Sequence, residues 1–303
     1  MKSRWTLPLA ALALALAAAP SGAKEEPLPP ELAQAMKVAE TLKPQRGKVS
    51  LPEAHVTLDL GTAYDFYGPD DAKKILVDVW ANPPEAASGV LGLVMPAGQS
   101  PVSDSWGAVL TYEATGYVED SDAQEADFNA ILEDLKTASE ESNKERVAAG
   151  YPALHVAGWA ESPKYDPRTH SVVWARDLLV DGNPEHTLNY DLRTLGRNGV
   201  LSVNFIAGMK QLPEIRKAAG DFASHASFDA GARYADFDPS IDEKAEYGIG
   251  GLVAAGVGVA AAKKLGFLAL LAKFLKPILI GVVALFAALA RFGKGLFGRG
   301  GEE

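Results

Sequence analysis

An α+β domain, built on an antiparallel β-meander sheet packed with helices, is what this sequence predicts for its middle, with an export signal before it and a membrane segment behind it. Three observations carry the expectation. Four runs of alternating apolar and polar residues follow one another between residues 153 and 207, joined by turns too short for crossover helices. Helix-period stretches at 122–149 and 210–224 flank those runs rather than alternating with them. The 303 residues include no cysteine, so an apolar core, without disulfides or thiolate metal sites, has to hold the domain together.

Taken in order, residues 1–23 open with Lys2 and Arg4, run apolar from Trp5 to Ala19, and reach Pro20 and Ser21-Gly22-Ala23. Small residues at the third and first positions before a cut after Ala23 make this a secretory signal; the alternative is an uncleaved anchor. Residues 24–50 form a charged, Pro-rich linker and a short helix over 31–42. The exported domain, 51–246, begins with a strand at His55–Leu60 and a helix from Asp70 to Trp80 that has Pro69 near its first turn and is stopped at Asn82-Pro83-Pro84. Strands follow at Gly89–Met95 and Ser105–Glu113.

The strongest helix signal spans Asp122 to Ala149, opened by a capping box of Ser121 and Gln124 and closed by Gly150, with Phe128, Ile131, Leu132 and Leu135 on its buried stripe. The four meander strands are then Ala153–Ala160, His170–Val180, His186–Leu195 and Val200–Ala207. Alternation puts Leu188, Tyr190 and Leu192 on one face with Leu201, Val203 and Phe205, and Asn189, Asp191, Arg193, Ser202 and Asn204 on the other, polar face. A helix at Lys210–Ser224 and a strand at Ala226–Phe228 complete the domain.

From Tyr247 to Phe297 the chain has no acidic residue and is rich in Ala, Gly, Leu and Val, with Lys263, Lys264, Lys273 and Lys276 between two apolar pieces. This composition suits lipid, as one transmembrane helix or as a hairpin, with residues 298–303 as a tail. Gly250, Ala254, Gly258 and Ala262 recur every fourth residue, a small-residue stripe on which another membrane helix could pack.

Without the two ends, residues 24–246 hold 20 basic residues against 37 acidic ones, a net charge near −17. Such a field repels phosphate backbones and anionic lipid headgroups, which excludes nucleic acid as a partner. There is no P-loop, no G-x-S-x-G and no H-E-x-x-H, and the five histidines are dispersed, so no cofactor or metal is expected. The crowded stretch Trp159, Tyr165, Asp166, His170 and Trp174 reads in two ways. It lines an aromatic ligand groove in which Asp166 and His170 serve as acid and base on a glycan or peptide, or its tryptophans fill the core while Asp166 and His170 brace a turn. Asn189, Arg193 and Arg197 read as a hairpin turn first and as an anion-binding patch second, and Arg197 alternatively ties the acidic domain to itself.

A series of short motifs carries a family resemblance. They are Trp80-Ala-Asn-Pro-Pro84, Gly116-Tyr-Val118, Asn143-x-x-Arg146, Gly158-Trp-Ala160, Pro163-x-Tyr165-Asp166, Thr169-His170, Trp174-Ala175, Asn189-Tyr190, Arg193-x-x-Gly196-Arg197-x-Gly199 and Gly231-x-Arg233-Tyr-Ala-Asp-Phe237. Tyr247-Gly-Ile249 and Gly251-Leu252 follow them. In this order they resemble the bacterial membrane-anchored proteins grouped as domain of unknown function 2167. The resemblance implies a signal peptide, an exported domain and a C-terminal anchor, and supplies no activity. The expectation is therefore a protein of the bacterial cell membrane, with residues 24–246 periplasmic or otherwise extracytoplasmic and residues 247–297 in the lipid bilayer. It is expected to act as a binding or structural module with a membrane or envelope protein partner.

Overall fold

The computed structural model describes residues 29–80, 84–148 and 152–256. The signal at 1–23, the break at Asn82-Pro83, Gly258, Ala262 and the rest of the expected membrane segment after Gly256 lie outside the described residues. Helix α1 (Pro30–Glu40) leads into β1 (Lys48–Leu51), β2 (Val56–Asp59) and β3 (Tyr64–Tyr67). Helix α2 (Pro69–Lys74) widens into one π-helical turn over Ile75–Val79, and β4 (Val90–Pro96) and β5 (Gly107–Glu113) come next. After α3 (Phe128–Ala148) the chain runs through β6 (Leu154–Asp166), β7 (Ser171–Val180), β8 (Thr187–Leu195) and β9 (Val200–Gly208). It closes with α4 (Leu212–His225), β10 (Ala226–Phe228) and α5 (Ile249–Gly256).

The expected meander is the heart of a seven-stranded sheet, ordered β3-β4-β5-β9-β8-β7-β6, with every neighbouring pair antiparallel. A three-stranded sheet, β1-β2-β10, lies apart from it. Its pairing joins Val56 to Phe228 across most of the chain. The two sheets and α4 enclose the main core, in which Tyr190, Phe205, Leu110, Leu58, Ile215 and Phe222 are all buried. Burying a side chain of this size contributes about 1.5–3 kcal/mol, so this layer dominates stability.

The opposite face of the large sheet has two separate covers. Ile75 and Leu76 sit on Leu93 and Met95 at the β4 end. Ile249, Leu252 and Val253 of α5 sit on Val172, Trp174 and Val200 at the β7–β9 end. This corrects the boundary drawn at Glu246. The first turns of the expected membrane segment belong to the domain core, because Ile249, Leu252 and Val253 are fully buried there. Gly250 faces the domain too: a Cβ on it would lie 3.2 Å from that of Ala126, and Ala254 is buried. Among the described residues no helix is long and apolar enough to cross a membrane.

Two further expectations shift. The long helix starts at Phe128 rather than Asp122, because Asp127 accepts from the backbone N–H groups of Asn129 and Ala130 and so caps it there. The carboxylate of Asp122 instead accepts from Ile249 N at 2.7 Å and Gly250 N at 3.0 Å, capping α5 from a distant part of the chain. The polar face of β8 and β9 is itself interior, with Asn189, Asp191 and Arg193 each 1% exposed.

Candidate functional site

The site is assembled at the end of the sheet where the β6–β7 turn, the β8–β9 turn and the segments 116–122 and 231–237 meet. Local sequence explains the approach of these four pieces. Gly116 has φ of +84°, and a Cβ there would lie 2.7 Å from Glu243 O, so only glycine lets the 116–118 segment run beside 243–245. Tyr117 then donates its N–H to Glu243 O at 2.9 Å, and Ala245 N donates to Tyr117 O at 2.8 Å. Gly199 similarly lets the β8–β9 turn close on the Glu113 carbonyl.

Two arrangements result. The first is an aromatic column. Phe237 stacks on Tyr117 at 3.9 Å, Tyr117 on Tyr234 at 4.4 Å, and Tyr234 on His170 at 4.3 Å, with the planes within 28° of parallel. The Tyr234 hydroxyl donates to Val118 O at 3.0 Å, which fixes the column to the backbone. The second is a chain of polar groups. The Tyr165 hydroxyl donates to Asp120 Oδ2 at 2.6 Å and lies 3.0 Å from His170 Nδ1. Burial, and then the Asp120 carboxylate, push the Tyr165 phenol well above its usual range. His170 has a φ of +47°, a left-handed conformation rarely taken by a residue other than glycine.

The candidate residues read from sequence divide into three groups. Tyr165, His170 and Arg197 come to this end of the sheet. Arg197 holds Asp242 through Nε at 2.7 Å and Nη2 at 3.0 Å and donates to Gly231 O, the self-tying arrangement rather than an anion patch. That guanidinium keeps the Asp242 carboxyl below the usual carboxylate range. Asp166 braces the β6–β7 turn: its carboxylate accepts from Arg168 N at 2.9 Å, from Arg168 Nη2 at 2.8 Å and from Arg168 Nε. Asp166 is thus engaged by Arg168 while His170 is engaged by Tyr165, and they share no hydrogen bond.

Trp174, Asn189 and Arg193 belong to a second, interior network under α5. Arg193 pairs with Glu113 and lies 3.4 Å from Asp191 Oδ1, with its guanidinium 5.6 Å from the centre of the Trp174 ring. Arg176 pairs with Asn189 and reaches Asp191 Oδ2 at 3.5 Å. Burial drives the Arg176 guanidinium below its usual value, whereas for Arg193 the Glu113 and Asp191 charges outweigh burial and raise it. Two arginines against two carboxylates leave this interior electrically balanced, with no surplus positive charge for an anion. Trp159 donates its indole N–H to Phe128 O at 3.1 Å beneath α3 and packs against the same apolar cluster as Trp174. Among the described residues no three or more His, Asp or Glu side chains come together as a metal site.

Sequence reading overlooked Asp120 as a partner of Tyr165, and Tyr117, Tyr234 and Phe237 as ring neighbours of His170. The signal was present in the motifs Gly116-Tyr-Val118 and Arg233-Tyr-Ala-Asp-Phe237, whose residues meet the Thr169-His170 motif here.

The architecture and this motif-built end define an α+β domain with a seven-stranded antiparallel sheet, helices on both of its faces and a histidine-capped aromatic column. The family pattern described as "protein of unknown function (DUF2167)" matches residues 43–288, and the chain belongs to that family. No curated protein matches it. Similar solved structures include the solution structure of cyanobacterial PsbP (CyanoP) from Synechocystis sp. PCC 6803. That likeness is loose, with 9% identity, 60% of this chain and 91% of that chain covered, and a TM-score of 0.34.

Proposed function

We propose that the protein is a membrane-anchored component of the bacterial cell envelope, exported over residues 24–246 and working as a non-enzymatic binding or structural module. The observation that carries this reading is α5. It is seated in the domain core through Ile249, Leu252 and Val253, capped by Asp122, and is followed directly in sequence by the acid-free apolar run to residue 297. A domain whose last core helix lies next in sequence to its anchor is kept close to the bilayer, which suits a scaffold or a docking module. The engagement of Asp166 by Arg168 supports the non-enzymatic side of the reading, because it takes away the acid partner assigned to His170.

The test is fractionation of cells making the full chain, with a protease-accessibility assay on intact spheroplasts. The full-length protein should stay in the membrane after alkaline carbonate washing, and its folded domain should be clipped from outside the cytoplasm. Release by carbonate, or protection of the domain until the membrane is permeabilised, would rule the reading out.

A further inference from the structure

We propose that His170 presents its Nε2 atom as a pre-oriented hydrogen-bond acceptor for an O–H or N–H group of a ligand, with Asp120 and Tyr165 as its positioning residues. This stands independently of whether the domain is membrane-anchored. A phenol has one hydrogen to donate. Tyr165 donates it to Asp120 Oδ2 across 2.6 Å, the length of a charge-assisted O–H···O bond, and burial beside that carboxylate keeps the phenol protonated. The phenolic oxygen, 3.0 Å from His170 Nδ1, is therefore an acceptor toward the imidazole, and Nδ1 carries the hydrogen. A neutral imidazole has one N–H, so Nε2 is left with its lone pair, and it makes no hydrogen bond to any described residue.

The ring that bears this atom is held from three sides. Tyr165 fixes it in its own plane, Tyr234 stacks on its face, and the His170 carbonyl accepts from Leu195 N at 2.8 Å, which holds the backbone in its left-handed conformation. A backbone of that kind persists only where its surroundings over-determine it, as they do here. The charged groups nearby are already engaged: Asp120 by Tyr165, Asp166 by Arg168, and Asp242 by Arg197. With Asp166 and Asp242 each neutralised by an arginine and Asp120 keeping its charge, an anion is disfavoured, so the ligand group is a neutral hydroxyl or amide, or an ammonium. Such an orienting bond on Nδ1 is the same device that aims histidines acting as bases or ligands elsewhere in proteins.

The deciding experiment uses the full-length, ¹⁵N-histidine-labelled protein in detergent micelles, with diethyl pyrocarbonate as the chemical probe. Nitrogen chemical shifts of the neutral ring should show His170 as the Nδ1–H tautomer. Peptide mapping should find His170 acylated faster than His155, whose two ring nitrogens are bonded to Glu140 and Asp181. In Tyr165→Phe the tautomer bias should be lost and acylation slowed about fivefold, the population ratio of one ordinary hydrogen bond. Asp120→Asn keeps the side-chain shape and should lower the Nδ1–H population in the same direction, so it carries the test if Tyr165→Phe does not fold. A neutral His170 with its hydrogen on Nε2, or acylation unchanged in the folded variant, overturns the proposal.

Discussion

Asp65 shows how much one side chain can bind together. It sits in β3 with its carboxylate 3% exposed, pairs with Arg46 through Nε at 2.5 Å and Nη2 at 3.1 Å, and accepts from Gly98 N at 2.7 Å. One residue thus ties the linker before β1, strand β3 and the loop after β4. The Arg46 hydrogen bond, outweighing burial, holds the Asp65 carboxyl below its ordinary range. A carboxyl depressed in the folded state contributes stability that is fully present above the unfolded value, near pH 4, and is lost as pH falls through the lower folded value. Asp65→Asn should cost about 2 kcal/mol at neutral pH, the size of a charge-assisted bond. Its stability should also fall less steeply than that of the parent below about pH 4. Urea unfolding at several pH values measures both; equal acid limbs for the two proteins would exclude Asp65 as a titrating contributor.

At the scale of single elements, what could be read from sequence follows what periodicity encodes. Strands β6 to β9 were legible because apolar and polar residues alternate along them and the turns between them are short. Strand β3 was not: Tyr64-Asp65-Phe66-Tyr67 is only four residues long, too short for a period to show. Helix α5 has the composition of a lipid helix over eight residues, and only its distant contacts with Asp122 and Trp174 distinguish a core helix from a membrane one. The His170 partnership has the same character, since Asp120 and Tyr165 are brought together by tertiary packing and no local spacing announces it.

Edge strand β6 offers a test at this scale. Asn143 of α3 mimics a neighbouring strand, taking the Leu154 N–H at 2.8 Å and giving its amide to the Leu154 carbonyl at 2.9 Å, a carbonyl that the Ser139 hydroxyl also reaches. Asn143→Ala leaves a buried backbone donor without its partner and should destabilise by about 2 kcal/mol. Amide hydrogen exchange should speed up first at Leu154, and unchanged protection there would show that α3 is held to the sheet by packing alone.

For the whole molecule, the domain ends later than its composition suggests. Shortening the chain to end at Glu246 removes Ile249, Leu252 and Val253 from the core and leaves Asp122 facing no helix. With about 2 kcal/mol for each lost side chain, roughly 6 kcal/mol is removed from a fold whose total is about 5–15 kcal/mol. A chain ending at Glu246 should therefore unfold well below one ending at Gly256, or be molten at room temperature. Coincident melting curves for the two would show that α5 rests on the sheet without supporting it.

The late position of α5 also sets a schedule for synthesis. Strand β2 waits for β10, and the face formed by Val172, Trp174 and Val200 waits for residues beyond Glu246, so both greasy surfaces stand open while most of the chain already exists. Until residues 249–253 emerge, the β7–β9 face exposes its apolar side chains, so a nascent chain of this design is most prone to aggregate while α5 is still unmade. A chain broken off before Ile249 keeps that face bare, so such fragments should aggregate where the longer chain stays in solution.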